Sequence, residues 1–164
     1  MRKVTLPKGT AGKLYLHSMP GRDGENMTRL IAEMQKNGIT VVVSLVEKHE
    51  IEKKSPAYAE ALRNGQFPFR IESFPISDYG LPEDDEAFAA FAGKISGMIT
   101  EGTNVLIHCA AGIGRTGMCA VTVLLALGMD LRTARDTIVA AGSMPESGQP
   151  EYLERTTRHF PAKE

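Results

Sequence analysis

The residues of this 164-residue chain best suited to chemistry are concentrated in one segment. From His108 to Gly117 it reads His-Cys-Ala-Ala-Gly-Ile-Gly-Arg-Thr-Gly, a cysteine behind an apolar run and an arginine closing a short glycine-containing turn. A turn of that length, relieved by Gly112 and Gly114, lets the backbone N–H groups of Ala110, Ala111, Gly112, Ile113, Gly114 and Arg115 converge on one centre. The Arg115 side chain closes the ring, and a helix beginning there directs its positive end at the same point. The product is an oxyanion cradle with Cys109 on its floor. Amide dipoles and a guanidinium favour thiolate over thiol, and Thr116 stands where its hydroxyl can donate to the sulfur. Cys109 is therefore the candidate nucleophile.

The elements that carry this segment alternate between strand and helix. Residues 104–108 read as a buried strand and 115–127 as the helix after the turn. Upstream, 13–17 read as a strand, 25–36 as a helix stopped at Asn37-Gly38, and 39–46 as a β-branched strand covered on both faces. A helix over 56–63 and an extended stretch over 67–76, limited by Pro68 and Pro75, follow. Residues 83–100 open with four acids that suit a helix start, and helices over 131–141 and 151–160 complete the pattern. This alternation predicts an α/β fold with a central, mostly parallel sheet flanked by helices, and the length suits a single domain over 1–164.

Composition narrows the function. Apolar residues make up 42% and charged residues 24%, enough to build a core, which excludes a disordered or fibrous chain. The net charge of -1 exerts no bulk pull toward nucleic acid or anionic membrane, so neither is an expected partner and phosphate recognition must be local. The most apolar stretch, 118–129, falls short of the roughly 20 residues of a membrane span. With no readable export leader, a cytoplasmic monomer is the expectation. Two cysteines, Cys109 and Cys119, cannot form a disulfide framework, and four scattered histidines, His17, His49, His108 and His159, make no metal pattern. No metal and no cofactor are expected, and Cys119 reads as buried filler inside an apolar helix.

The segment 108–117 resembles the signature of cysteine-dependent protein tyrosine and dual-specificity phosphatases: His-Cys, five residues, Arg, then Ser or Thr. The resemblance extends over nearly the whole chain and is most similar to the cyclin-dependent-kinase-associated phosphatase branch, given the Met19-Pro20-Gly21 turn and the Pro75-Ile76-Ser77-Asp78 loop. It implies a protein tyrosine phosphatase-like fold and hydrolysis of phosphotyrosine, with phosphoserine or phosphothreonine tolerated, on a phosphorylated protein or peptide. Cys109 would form a phosphocysteine, Arg115 would hold two phosphoryl oxygens, and His108 would shape the loop without transferring a proton. Thr116 would assist thiolate stabilisation and phosphoenzyme breakdown. Asp78 matches the family's acid on a movable loop, whereas Asp84 and Asp85 suit a helix start. Gln149 matches a residue that orients the hydrolytic water, and an ordinary helix-start role fits it equally.

Two alternatives stand beside this reading. A phosphate-recognising module without turnover needs neither nucleophile nor acid, yet this chain carries both. A phosphatase of a nucleotide, RNA or phosphoinositide fits the chemistry, but Ala110, Ala111 and Ile113 add no lysine of the kind that multiply phosphorylated lipid headgroups attract.

Overall fold

The computed structural model describes residues 1–161. Its sheet has five strands: β1 (Arg2–Lys3), β2 (Lys13–His17), β3 (Ile39–Ser44), β4 (Arg70–Ser73) and β5 (Asn104–His108). They lie in the order β1-β2-β5-β3-β4, with β1 antiparallel to β2 and the other pairs parallel. The expected α/β architecture is thus present. The last strand in sequence is central, which is why it reads as an unbroken apolar run: Val105, Leu106 and Ile107 are fully buried, each contributing about 1.5–3 kcal/mol.

Among the described residues the helices are α1 (Met27–Lys36), α2 (Lys48–Lys54), α3 (Pro56–Arg63), α4 (Asp85–Thr100), α5 (Gly114–Ala126), α6 (Leu131–Ala140) and α7 (Gln149–Thr156). Side-chain oxygens close the starts of several: Asn26 accepts from Arg29 N–H, Asp84 from Ala87 N–H and Asp130 from Thr133 N–H. Asp84 and Asp85 are therefore the start of a helix, as expected. Helix α5 packs against β5, α4, α6 and α7 and is buried from Gly114 through Leu125, matching a sequence that is apolar on every face.

Several expectations shift. The strand expected over 39–46 ends at Ser44, and the stretch over 67–76 narrows to Arg70–Ser73 because Pro68 and Pro75 lack the N–H that a ladder needs. The helix expected over 25–36 begins at Met27, behind its Asn26 cap. The last helix starts earlier, at Gln149, and yields after Thr156 to a tight 3₁₀ turn over Thr157–His159. Two elements were not foreseen. Strand β1 is too short to carry a pattern, and α2, Lys-His-Glu-Ile-Glu-Lys-Lys, has a single apolar residue and hence no apolar stripe.

Candidate active site

The site forms at the carboxyl end of β5, where the chain leaves the sheet between β2 and β3. Both neighbours hold the exit: Leu45 N–H donates to His108 C=O at 3.1 Å and Met19 N–H to Ala110 C=O at 2.9 Å. Cys109 follows directly and is buried, and α5 starts at Gly114. Between them the carbonyls face outward. Gly112 C=O accepts from Arg2 Nη2 and from Ser143 Oγ, both at 2.6 Å, and Ile113 C=O accepts from Gly117 N–H and Met144 N–H. The N–H groups of Ala110, Ala111, Gly112 and Ile113 have no protein acceptor among the described residues. Outward carbonyls and unpaired amides are what an anion-binding loop requires.

Two glycines make that path possible. Gly112 has φ +75°, and a Cβ there would lie 2.5 Å from the His17 carbonyl oxygen. A Cβ on Gly114 would lie 2.6 Å from Glu146 Oε2. Backbone blocks a side chain at Gly112, whereas at Gly114 the Glu146 carboxylate would have to move aside.

Arg115 is buried, and its guanidinium is fixed by a two-point ion pair with Glu50: Nη1 to Oε2 at 2.9 Å and Nη2 to Oε1 at 2.8 Å. Nη1 also donates to Ile76 C=O at 2.9 Å, and Nη2 to Asp78 Oδ1 at 3.0 Å. Burial works against the charge on Arg115, but Glu50, Cys109 and Asp78 outweigh it and the group is held above its ordinary value. The hydrogen bonds from Arg115 draw the Glu50 carboxyl down to about 2 against the opposing effect of burial, with Lys54 adding to the pull. Glu50 and Lys54 stand one turn apart on α2, 3.0 Å from each other, and Lys54 Nζ lies 3.6 Å from Asp78 Oδ2. The unforeseen helix thus supplies both the anchor of Arg115 and a second cation beside the acid.

Asp78 reaches Arg115 from a loop held to the sheet by Ile76 N–H donating to Leu45 C=O. The loop turns tightly at Gly80 N–H to Ser77 C=O, 2.8 Å, with Tyr79 in the left-handed region at φ 56°. The Asp78 side chain remains 49% exposed against 3% for Arg115.

His108 is wholly buried and faces away from the cradle. Its Nδ1 meets Cys109 C=O at 2.9 Å and its Nε2 meets Tyr58 Oη at 3.1 Å. Because a carbonyl only accepts, Nδ1 carries the proton and Nε2 of the neutral ring accepts from the Tyr58 hydroxyl. Burial pushes the imidazole down to about 4, so it is neutral at pH 7. Burial likewise pushes the Cys119 thiol up to about 12, with Cys109 adding to the effect; that residue is core filler inside α5.

Thr116 and Gln149 differ in how the geometry treats them. Thr116 Oγ1 is buried without a hydrogen-bond partner among the described residues, so the expected donation to the Cys109 sulfur is not made. Gln149 is fully buried; its Oε1 accepts from Glu146 N–H at 2.7 Å and its Nε2 donates to Gly80 C=O at 3.3 Å. Its amide thus ties the loop of Asp78 to the start of α7, where Gln149 is the first helical residue.

The resulting pocket has a volume of about 160 Å³ and is lined by Cys109, Ala110, Ala111, Gly114, Arg115, Asp78 and Gln149, joined by Arg22, Lys54, Tyr79 and Glu146. The last four, with Glu50, Tyr58, Arg2 and Ser143 behind the wall, were not singled out from sequence. Only the Glu50/Lys54 spacing on one helix face offered a local signal. Among the described residues no three His, Cys, Asp or Glu side chains are grouped to hold a metal ion, and no helix is long and apolar enough to cross a membrane.

A cysteine on the floor of an amide cradle, at the carboxyl end of a parallel strand and beside a buried arginine, defines the cysteine-based phosphatase class of enzymes. The family model described as "Tc-R-P: Polymorphic toxin system, DSP-PTPase phosphatase" matches residues 18–129, more than half of the chain, and the protein belongs to that family. Among solved structures it is similar to kinase associated phosphatase (KAP) carrying serine for its catalytic-site cysteine, with 21% identity, a TM-score of 0.82 and coverage of 99% of this chain and 96% of that one. It is also similar to a glycine-to-alanine mutant form of Tk-PTP, at 25% identity, TM-score 0.69 and coverage of 96% and 95%. A third likeness is to P. aeruginosa TpbA in complex with pTyr, at 18% identity, TM-score 0.61 and coverage of 97% and 95%.

Proposed function

We propose that this phosphatase hydrolyses phosphomonoesters on phosphoproteins, phosphotyrosine first and phosphoserine or phosphothreonine as well, through a phosphocysteine on Cys109. The observation that carries the reading is the run of unpaired amides from Ala110 to Ile113 around the sulfur, closed by an Arg115 that Glu50 holds rigid. The Cys109 thiolate attacks phosphorus as the ester P–O bond breaks, and Asp78 gives its proton to the leaving oxygen. Water then attacks the phosphocysteine, Asp78 takes a proton back, and the S–P bond breaks to release orthophosphate. The position of Asp78 on an exposed turn, within reach of Arg115, supports giving it both transfers. His108, neutral and turned toward Tyr58, holds the loop's backbone and moves no proton. Arg22 and Lys54 line the same pocket and favour acidic residues beside the phosphoresidue.

The test is Cys109→Ser. Turnover of p-nitrophenyl phosphate is expected to fall by roughly 10⁴ or more while orthovanadate still binds. Rapid quenching of the unaltered enzyme should trap phosphorus on Cys109, and EDTA should leave the rate unchanged. Retained hydrolysis in the serine variant would remove Cys109 from the mechanism. Phosphopeptides, nucleotides and phosphoinositides assayed side by side would establish the substrate class, and preference for a non-protein ester would overturn that part of the reading.

A further inference from the structure

The orientation of the cradle depends on where its carbonyls are held, and the holds differ in kind. Ala110 and Ile113 carbonyls are held by backbone N–H groups, from Met19 and from Gly117 and Met144, which no side-chain substitution removes. The Gly112 carbonyl is held by side chains alone. Arg2 on β1 donates Nη2 to it at 2.6 Å, Ser143 donates Oγ at 2.6 Å, and Arg2 Nη1 donates to Ser143 Oγ at 2.9 Å and to Ala141 C=O at 3.3 Å. Three distant parts of the chain, at positions 2, 112 and 143, therefore meet on one oxygen.

We infer that Arg2 and Ser143 form a clamp that sets the Gly112–Ile113 peptide, so that the Ile113 N–H is presented to the phosphoryl oxygens. The peptide is planar and trans, so its C=O and N–H point in opposite directions. Holding the oxygen outward fixes the amide inward, and Gly112, at φ +75° and without a Cβ, has little else to resist a flip of that plane. The guanidinium also polarises the peptide it grips and makes the amide a stronger donor. Arg2 and Ser143 are thus positioning residues: neither lines the catalytic pocket, and each acts through the peptide.

The inference rests on the phosphatase reading, and the test separates the two. The full chain is assayed with p-nitrophenyl phosphate, with orthophosphate as competitive inhibitor and thermal melting alongside. Since the amide grips the phosphoryl group in ground state and transition state alike, Arg2→Met should raise KM and the orthophosphate Ki together by about tenfold with kcat within about threefold. Arg2→Lys, which keeps a cationic donor, should recover most of the loss. Ser143→Ala should show the same signature at about threefold and serves if Arg2→Met fails to fold. Lys3→Met, on the exposed neighbour in β1, should change nothing. Unaltered KM and Ki in Arg2→Met and Ser143→Ala beside an active parent enzyme would overturn the clamp, as would a lowered melting temperature without the kinetic shift. A parent chain that neither hydrolyses the ester nor binds orthophosphate would instead overturn the phosphatase reading.

Discussion

The two loops that meet at the pocket are built on opposite principles. The cysteine loop is mostly buried and tied at several points: the carbonyls of Ala110, Gly112 and Ile113 are bonded outward, its histidine is locked to Tyr58, and its arginine is locked to Glu50. The acid loop stands half in solvent, with Asp78 49% and Tyr79 65% exposed, and is held over the pocket by Arg115, Lys54 and one amide contact from Gln149. The difference matches the two tasks. Under the proposed mechanism, stabilising charge on a phosphoryl group would require dipoles that do not reorganise, whereas delivering a proton and then collecting one would require a carboxyl that can exchange partners.

Substitutions that loosen the rigid loop should cost more than substitutions in the exposed one. Glu50→Ala removes the two-point partner of a buried guanidinium, leaving only the exposed Asp78 carboxylate, and should destabilise the fold by up to about 3–5 kcal/mol, measured by urea denaturation. A loss under about 1 kcal/mol would mean that the cysteine loop does not depend on that pair. Asp78→Asn should leave stability nearly unchanged yet slow esters with poor leaving groups by about 10² or more, and good leaving groups far less. Equal slowing of both would assign the acid elsewhere.

His108 gives the rigid loop a signature in pH. Its folded value, about 4, lies below the ordinary 6.5, so between these limits the unfolded chain binds more protons and stability falls as pH is lowered. The full contribution is present above pH 6.5 and is lost on descending to about 4, a change of about 3 kcal/mol. Denaturation at a series of pH values should show this slope in the parent and a flatter one in His108→Asn. The smallest effect belongs to the acid loop. Tyr79→Gly relieves a left-handed backbone at φ 56° and should stabilise by about 1 kcal/mol or less in a thermal melt. A larger loss would show that the exposed ring holds the loop down.

The same contrast explains what could be read beforehand. Strand β5, the cradle and the helix behind it are local in sequence, a buried run followed by a glycine turn and an apolar helix, and each was legible. Asp78 was legible through its neighbours from Phe74 to Pro82. The side chains that make the cradle rigid were not: Glu50 lies 65 residues from Arg115, Tyr58 lies 50 from His108, and Arg2 lies 110 from Gly112. Their partners are set by strand order and by α2, and no pattern of period two or 3.6 encodes either. For Gln149 the sequence offered a helix start and a water-orienting role alike; it does begin α7, while its contacts to Glu146 and Gly80 come from a fold that position alone does not encode.

The quartet of Arg115, Lys54, Glu50 and Asp78 sums to zero, two positive groups against two negative. An anion entering beside it meets cations already matched by their own carboxylates, and the unpaired amides of the cysteine loop supply a positive field that no counter-charge cancels. Attraction by enclosed dipoles of that kind is weakened less by dissolved salt than attraction by free surface cations is.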